Sequence, residues 1–438
     1  MPDYRVAIIG GGVLGTSIAY FLSAHARNPS SVVLLEQEKN IAQHTSSRNT
    51  GKVHAPFFYD PVKKKIFAKA AALGYEMWLK YSEFKQVVFK HDGVLEVAID
   101  DKSVDRLEKY MKWGEANGLS TDDLKLLDKE EVAKIEPNVR CISAIFCSKD
   151  GSVDYGALTL SLMQDLESFG CKLLLNHRVE RILSSNKGDG YYAVKTQNGK
   201  DLSAEYVINA AGGNSMDIAH MMGLALEYTD MHFRGEYWQA PPRYHNLTKL
   251  SIYSVPKYPE YPFLDPHWIV RADGRREVGP NAVPVFGPYA YSWRKNLSDM
   301  LPKILESSRT GARKVVFDRQ FLSLASTEFR SSISKTAMIN RVREFLPPIK
   351  PSVFVQRGTS GIRSAVIDKY GRFMQDTMVL ENESSLHVLN YNSPGATGAL
   401  PMAADIVSKV IEAGAIEGCD KPRSLWDVRT IADKMEKG

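Results

Sequence analysis

The sequence lacks any apolar run long enough to cross a bilayer as a helix. It has few cysteines: Cys141, Cys147, Cys171 and Cys419 are the only four in 438 residues. None of them falls at C-x-x-C or zinc-ligand spacing, so neither a dithiol redox motif nor a metal site is expected. They suit a reducing, cytoplasmic setting as packed or free thiols. Internal repeats, low-complexity linkers and nucleic-acid-binding modules are absent as well, so no nucleic-acid partner is expected. The net charge of +5 is small for this length. It fits an anionic substrate or an anionic membrane surface, not a nucleic-acid tract. An apolar strand follows the first residues at once, so no cleavable signal peptide is expected. Its removal would also take away the glycine-rich segment described next. With 44% hydrophobic residues, the chain is globular and long enough for two cores.

What is present starts at Tyr4. Val6 to Ile9 are apolar and suit a buried parallel strand. Gly10, Gly12 and Gly15 then fit G-x-G-x-x-G, and Val13, Leu14, Ile18, Phe21 and Leu22 recur at near-helical spacing. The first glycine permits the turn, the second lets backbone approach a pyrophosphate, and the third lets helix and strand pack closely. The helix N-terminus would offer free N–H groups and partial positive charge to the phosphates. A second apolar strand, Val32 to Leu35, ends at Glu36. That acid lies about 20 residues beyond Gly15, where it accepts bonds from ribose hydroxyls and disfavours a 2′-phosphate. A bound dinucleotide other than NADP is the expectation.

A second strand of this type, Ala204 to Ile208, runs into Ala211-Gly212-Gly213. Upstream, Ser152 to Thr159 reads as a helix start, with the helix ending near Gly170. Strands are expected over Cys171–Leu175 and His177–Ile182, and a hairpin-like pair around Asn198-Gly199. The expected fold is α/β with an α+β second part. A discontinuous Rossmann-like binding domain takes about residues 1–85, 145–220 and 350–438. A strand-rich substrate or cap domain takes about 86–144 and 221–349.

Several separated segments carry a family resemblance. They are Ser46-Ser-Arg-Asn-Thr-Gly-Lys-Val-His54, Ile135-Glu-Pro-Asn138, Phe233-Arg-Gly-Glu-Tyr237, Tyr261-Pro-Phe-Leu264, Asp273-Gly274, Val278-Gly-Pro-Asn-Ala282 and Asn392-Ser-Pro-Gly-Ala-Thr397. In this order they resemble the L-2-hydroxyglutarate oxidase/dehydrogenase family of the D-amino-acid-oxidase-like FAD superfamily. Val153 to Thr159, Phe286 to Ala290 and Ser393 to Thr397 resemble malate:quinone oxidoreductase. Both resemblances imply FAD and oxidation of the hydroxyl-bearing carbon of an L-2-hydroxy dicarboxylate. The chain departs from the hydroxyglutarate pattern at His54-Ala55-Pro56, at Val270-Arg271 and before His267. These are pocket positions, so L-2-hydroxyglutarate and L-malate both stay open.

Oxidising an alcohol through a flavin needs a base for the hydroxyl proton and donors for the carboxylates. An imidazole suits the first role. By the resemblance, His54 passes beside the flavin and is the candidate base, with His267 in reserve. Arginine's planar fork suits a carboxylate, and Arg234, Arg271 and Arg363 are the candidates, with Tyr237 as a hydroxyl donor. The resemblance implies that Arg363, after Gly361, returns to the active site. It also implies that Ser46, Arg48, Asn49 and Thr50 line the flavin and that Val179 meets the adenine. By the same resemblance, Pro394, Gly395, Ala396 and Thr397 precede a helix whose N-terminus stabilises negative charge on the flavin.

Leu297, Met300, Leu301, Ile304 and Leu305 recur at helical spacing, with Pro302 limiting the helix upstream. Met338, Val342, Phe345 and Leu346 recur likewise among Arg330, Lys335, Arg341 and Arg343. A basic amphipathic helix suits the inner face of a membrane, and with it a quinone acceptor. A core-facing helix shows the same spacing, and oxygen or a soluble carrier also fits as acceptor. Two other functions fit the superfamily: an amino-acid or amine oxidase, and a non-catalytic flavin-binding protein.

Overall fold

The computed structural model describes residues 2–185, 190–258, 261 and 265–436. Pro262 to Leu264 of the Tyr261–Leu264 segment lie outside these residues. Strand Tyr4–Ile9 pairs in parallel with Val32–Leu35 on one side and with Leu202–Asn209 on the other. Val6 to Ile9 are buried on both faces, which explains why the run is continuously apolar. Lys172–Leu174 and Ser385–Leu389 extend the parallel core outward. Met378–Asn382 closes one edge antiparallel, and Val179–Ser184 and Tyr192–Thr196 branch from Leu202–Asn209, giving eight strands.

Helices Val13–His25, Tyr155–Phe169 and Ala399–Glu412 share one apolar core on this sheet. The branching strands bury Val179, Ile182 and Val194 against Ala7, Ile9 and Leu35 on its other face. Asp154 caps Tyr155–Phe169 by accepting the Ala157 N–H at 3.1 Å, and Gly170 ends it at φ +102°. The hairpin forms around Asn198-Gly199 as the alternation predicts. The expected strand from His177 begins instead at Val179. Asn176 takes a left-handed conformation at φ +60°, and the His177 ring turns back to the Leu175 carbonyl at 2.7 Å.

A second sheet of eight strands runs in the order 356–357, 238–239, 276–279, 267–270, 251–254, 94–98, 143–147, 124–128. Thr229–Gly235 sits between Val283–Val285 and Gly361–Ile367 in a third, three-stranded sheet. The fold is thus mixed α/β, with a parallel sheet assembled from separated segments beside a strand-rich region.

The two apolar helical series part company. The first lies on Trp293–Arg309, which starts at the Ser292 cap, so Pro302 falls inside the helix and does not limit it upstream. Much of its apolar face is exposed: Leu297, Leu301, Ile304 and Leu305 are 48–65% exposed, and Met300 is half-buried. The second corrects the membrane-surface expectation for its segment. Met338, Val342, Phe345 and Leu346 are buried in the core with Trp268 and Ile252. Arg341 is spent on Asp265 and Glu328, the latter at 2.8 Å.

Candidate active site

The glycine-rich turn has the geometry a pyrophosphate needs. Gly10 holds φ +111° between the parallel strand and the helix, a value that side chains rarely adopt. A Cβ on Gly15 would stand 1.9 Å from the Gly10 carbonyl oxygen, so strand and helix touch backbone to backbone there. Gly15 therefore packs and does not line the cavity. The helix begins at Gly12 with no capping side chain of its own, and Ser46 Oγ accepts the Val13 N–H at 2.8 Å. The other first-turn donors are left for an anion. Glu36 is buried and accepts the N–H groups of Gly11 at 2.7 Å and Glu38 at 2.8 Å. Burial holds its pKa above the ordinary carboxylate value, against those N–H bonds.

A cavity of about 1130 Å³ is lined from both eight-stranded sheets and the three-stranded one, and from the two-stranded pair of Lys52–Val53 with Gly151–Ser152. Gly12, Val13, Leu14, Ser46, Arg48, Asn49, Thr50, Gly212 and Gly361 line it, as do Pro394, Gly395, Ala396 and Thr397. Gly10, Glu36, Val179 and Ala211 line a smaller hollow that shares Gly12, Ser46 and Gly212 with it. Arg48 reaches over the Tyr291 ring at 4.5 Å. Gly361 is required because a Cβ there would lie 2.5 Å from the Arg48 carbonyl oxygen. The loop before Ala399–Glu412 is anchored by Trp78, whose Nε1–H donates to the carbonyls of Ala396 and Thr397 at 2.9 and 3.0 Å. That helix starts at Gly398, again without a side-chain cap.

Of the six residues expected to do chemistry, four line the large cavity: His54, Tyr237, His267 and Arg363. Arg234 and Arg271 are not among its lining residues. On Thr229–Gly235 the cavity is lined by Asp230, Phe233 and Gly235, and Arg234 is held elsewhere. Its guanidinium is buried against Glu236 at 2.8 Å and the Ala290 carbonyl at 3.0 Å. Arg271 forms an ion pair with Glu277 across the turn and donates to the Asn49 carbonyl.

His267 stacks on Tyr253 at 4.1 Å, and burial pulls its pKa down to about 3, so the ring is neutral and a poor proton acceptor. Burial pushes Tyr237 up to about 12, against the charge of Arg271, leaving its hydroxyl a donor. Burial also raises Glu96, on the cavity wall, well above the carboxylate range.

Several lining residues were not singled out from the sequence. Lys63, Lys64, Arg106 and Lys109 line the cavity and form no salt bridge among the described residues. Burial, then the nearby Arg363 charge, lowers the Lys64 pKa, as expected where cations gather at an anion site. Behind His54, Lys52 is buried between Asp150 at 3.0 Å and Asp92 at 3.1 Å. Burial raises the Asp92 pKa, against the Lys52 charge. Lys63 and Lys64 fall in a short basic run, Lys63-Lys64-Lys65, which alone does not point to a site, and the others stand apart along the chain.

The matching family model is that of the FAD dependent oxidoreductases, over residues 5–409. The chain is 32% identical to the mitochondrial L-2-hydroxyglutarate dehydrogenase of Bos taurus over 93% of its length and 89% of that protein's. It is 30% identical to the L-2-hydroxyglutarate dehydrogenase of Indibacter alkaliphilus, covering 92% and 98%. Among solved structures it superposes on L-α-glycerophosphate oxidase from Mycoplasma pneumoniae, which has FAD bound. The TM-score is 0.72, with 21% identity and 97% of each chain covered. Glycine oxidase from Geobacillus kaustophilus follows with a TM-score of 0.67, 17% identity and coverage of 99% and 98%. The glycine turn, the buried acid and the uncapped helix ends fit the dinucleotide that this family uses, and the chain is a member of the FAD dependent oxidoreductase family.

Proposed function

We propose that the chain oxidises the hydroxyl-bearing carbon of an L-2-hydroxy dicarboxylate to the 2-oxo acid. L-2-Hydroxyglutarate is the first substrate to test, because the relatives carry that name, and L-malate is the second. One observation carries the reading: a histidine, His54, faces the same cavity as Arg363 and Lys64. A base and two cations in one pocket suit an alcohol flanked by carboxylates.

FAD, when bound, supplies the acceptor for the hydride. Arg363 and the Tyr237 hydroxyl hold a carboxylate, and His54 takes the hydroxyl proton. His267, held neutral, serves as a hydrogen-bonding wall. The N-terminus of Ala399–Glu412 favours negative charge at its end of the cavity. Residues 1–85, 145–220 and 350–438 form the FAD-binding part, and 86–144 and 221–349 cover it. The strands within 356–367 pair with the covering part and form the junction.

Electrons pass on to a quinone at an anionic membrane surface. The solvent-facing apolar side of Trp293–Arg309 supports this. Among the described residues no helix is long and apolar enough to cross a membrane, so contact would be peripheral.

Anaerobic mixing with L-2-hydroxyglutarate, L-malate, their D enantiomers and amino acids tests the proposal. Bleaching of the flavin by an L-2-hydroxy dicarboxylate is expected. Bleaching by amino acids alone would replace it with an amine oxidase. No bleaching by any of them would leave a flavin-binding protein without this activity.

A further inference from the structure

Asp150 is wholly buried, and its carboxylate is held from two sides. The Lys52 ammonium meets Oδ1 at 3.0 Å, and the Ala55 N–H donates to Oδ2 at 3.2 Å. The same Oδ2 lies 3.7 Å from Nδ1 of His54. That nitrogen is buried and has no hydrogen-bond partner among the described residues. The ring is nevertheless 15% exposed, so its exposed part is the side away from Asp150. Thr397 Oγ1 accepts the His54 backbone N–H at 3.0 Å, which fixes the residue's backbone.

Lys52 also has Asp92 at 3.1 Å and the Ser152 hydroxyl at 3.1 Å, so its ammonium is shared between two carboxylates, and Asp150 is the one beside His54. A distance of 3.7 Å is too long for a hydrogen bond. Catalytic hydrogen bonds are often long without substrate and tighten when it binds.

We propose that Asp150 is a positioning residue: it holds His54 as the Nδ1–H tautomer, leaving Nε2 bare toward the cavity, and stabilises the imidazolium formed in the reaction. Lys52 in turn keeps Asp150 in place. This rests on the reading of His54 as the base. In the step itself, the substrate O–H proton goes to His54 Nε2. FAD, when bound, would accept the hydride from the hydroxyl-bearing carbon, whose C–O bond becomes C=O. The charged and titratable groups around His54 are Asp150, with Lys52 and Asp92 behind it, and His267, Arg363 and Tyr253 across the cavity. Of these, Asp150 is the one placed at Nδ1.

The test uses the FAD-loaded full chain. Asp150→Asn keeps the shape and removes the charge. The rate of anaerobic flavin reduction by L-2-hydroxyglutarate is expected to fall about 10²- to 10⁴-fold at neutral pH. The acid limb of its pH profile moves to lower pH, because an imidazolium without its carboxylate loses its proton more readily. An unshifted limb would overturn the proposal, since a merely structural aspartate changes flavin content and melting temperature only. Should Asp150→Asn fail to fold, the unmutated protein decides. Histidine ¹⁵N NMR, with His54 assigned by its loss in His54→Gln, is expected to show Nδ1 protonated and Nε2 bare. The opposite tautomer overturns the proposal. If His54→Gln reduces its flavin at the unmutated rate, the assignment of the base has failed instead.

Discussion

Thr397 Oγ1 accepts the backbone N–H of His54 at 3.0 Å, across 343 positions of sequence. The Tyr155 hydroxyl reaches the same oxygen at 3.2 Å and also bonds the Lys52 carbonyl at 3.2 Å. The glycine-rich C-terminal loop, the histidine segment and the Tyr155–Phe169 helix are thus locked together at one edge of the cavity. This junction places the proposed base against the loop that precedes an uncapped helix N-terminus.

The arginines divide by the face they occupy. Arg363→Met removes a cation from the cavity, where a charge-assisted hydrogen bond is worth about 1.5–3 kcal/mol. The KM for the dicarboxylate is expected to rise about 10- to 100-fold, measured by steady-state turnover with an artificial acceptor. Arg234→Met is expected to leave KM near its original value. It should lower the melting temperature instead, because the buried Glu236 loses its nearer cation and keeps only Arg357 at 3.5 Å, and breaking a buried pair costs up to about 3–5 kcal/mol. An equal rise in KM for both variants would contradict this assignment.

Gly15→Ala is expected to abolish FAD retention. Its Cβ would meet the Gly10 carbonyl oxygen at 1.9 Å, and the helix would have to move off the strand. Flavin released per chain on denaturation measures this, and a full complement of flavin would count against the turn geometry.

His267 makes stability depend on pH. Its folded pKa of about 3 lies below the ordinary 6.5, so the unfolded chain takes up the proton first. The neutral ring costs nothing above pH 6.5, and stability is lost as pH falls from there toward 3. The slope for one such group is about 1.4 kcal/mol per pH unit. Urea unfolding at a series of pH values is expected to show a shallower acid loss in His267→Gln than in the unmutated protein. Parallel curves would show that the ring does not titrate in this way.

Trp293–Arg309 is expected to hold the protein on vesicles containing anionic lipid. Leu301→Asp with Ile304→Asp should abolish co-sedimentation and leave flavin reduction by substrate unchanged. If the unmutated protein fails to sediment with such vesicles at low salt, the membrane part of the proposal is wrong.

The parallel sheet was legible because its signals are local. An apolar strand, three spaced glycines and an acid ending the next strand lie within Tyr4 to Glu36, and each has a backbone reason. The place of Arg234 was not legible, because a motif gives residue type but not the partner that holds the side chain; here Glu236 and the Ala290 carbonyl hold it outside the cavity lining. Arg341 and its neighbours looked like a basic surface helix, since spacing alone cannot say whether an apolar stripe meets lipid or core. Lys52 stands within the Ser46–His54 segment, but nothing local ties it to Asp92 and Asp150, because only the folded chain brings the three into one buried set.

Anaerobic flavin reduction by L-2-hydroxyglutarate is the decisive measurement. The yellow protein is expected to bleach with the L enantiomer and not with the D enantiomer, and His54→Gln with FAD bound is expected to bleach far more slowly. Bleaching by amino acids with no response to either L-2-hydroxyglutarate or L-malate would contradict it.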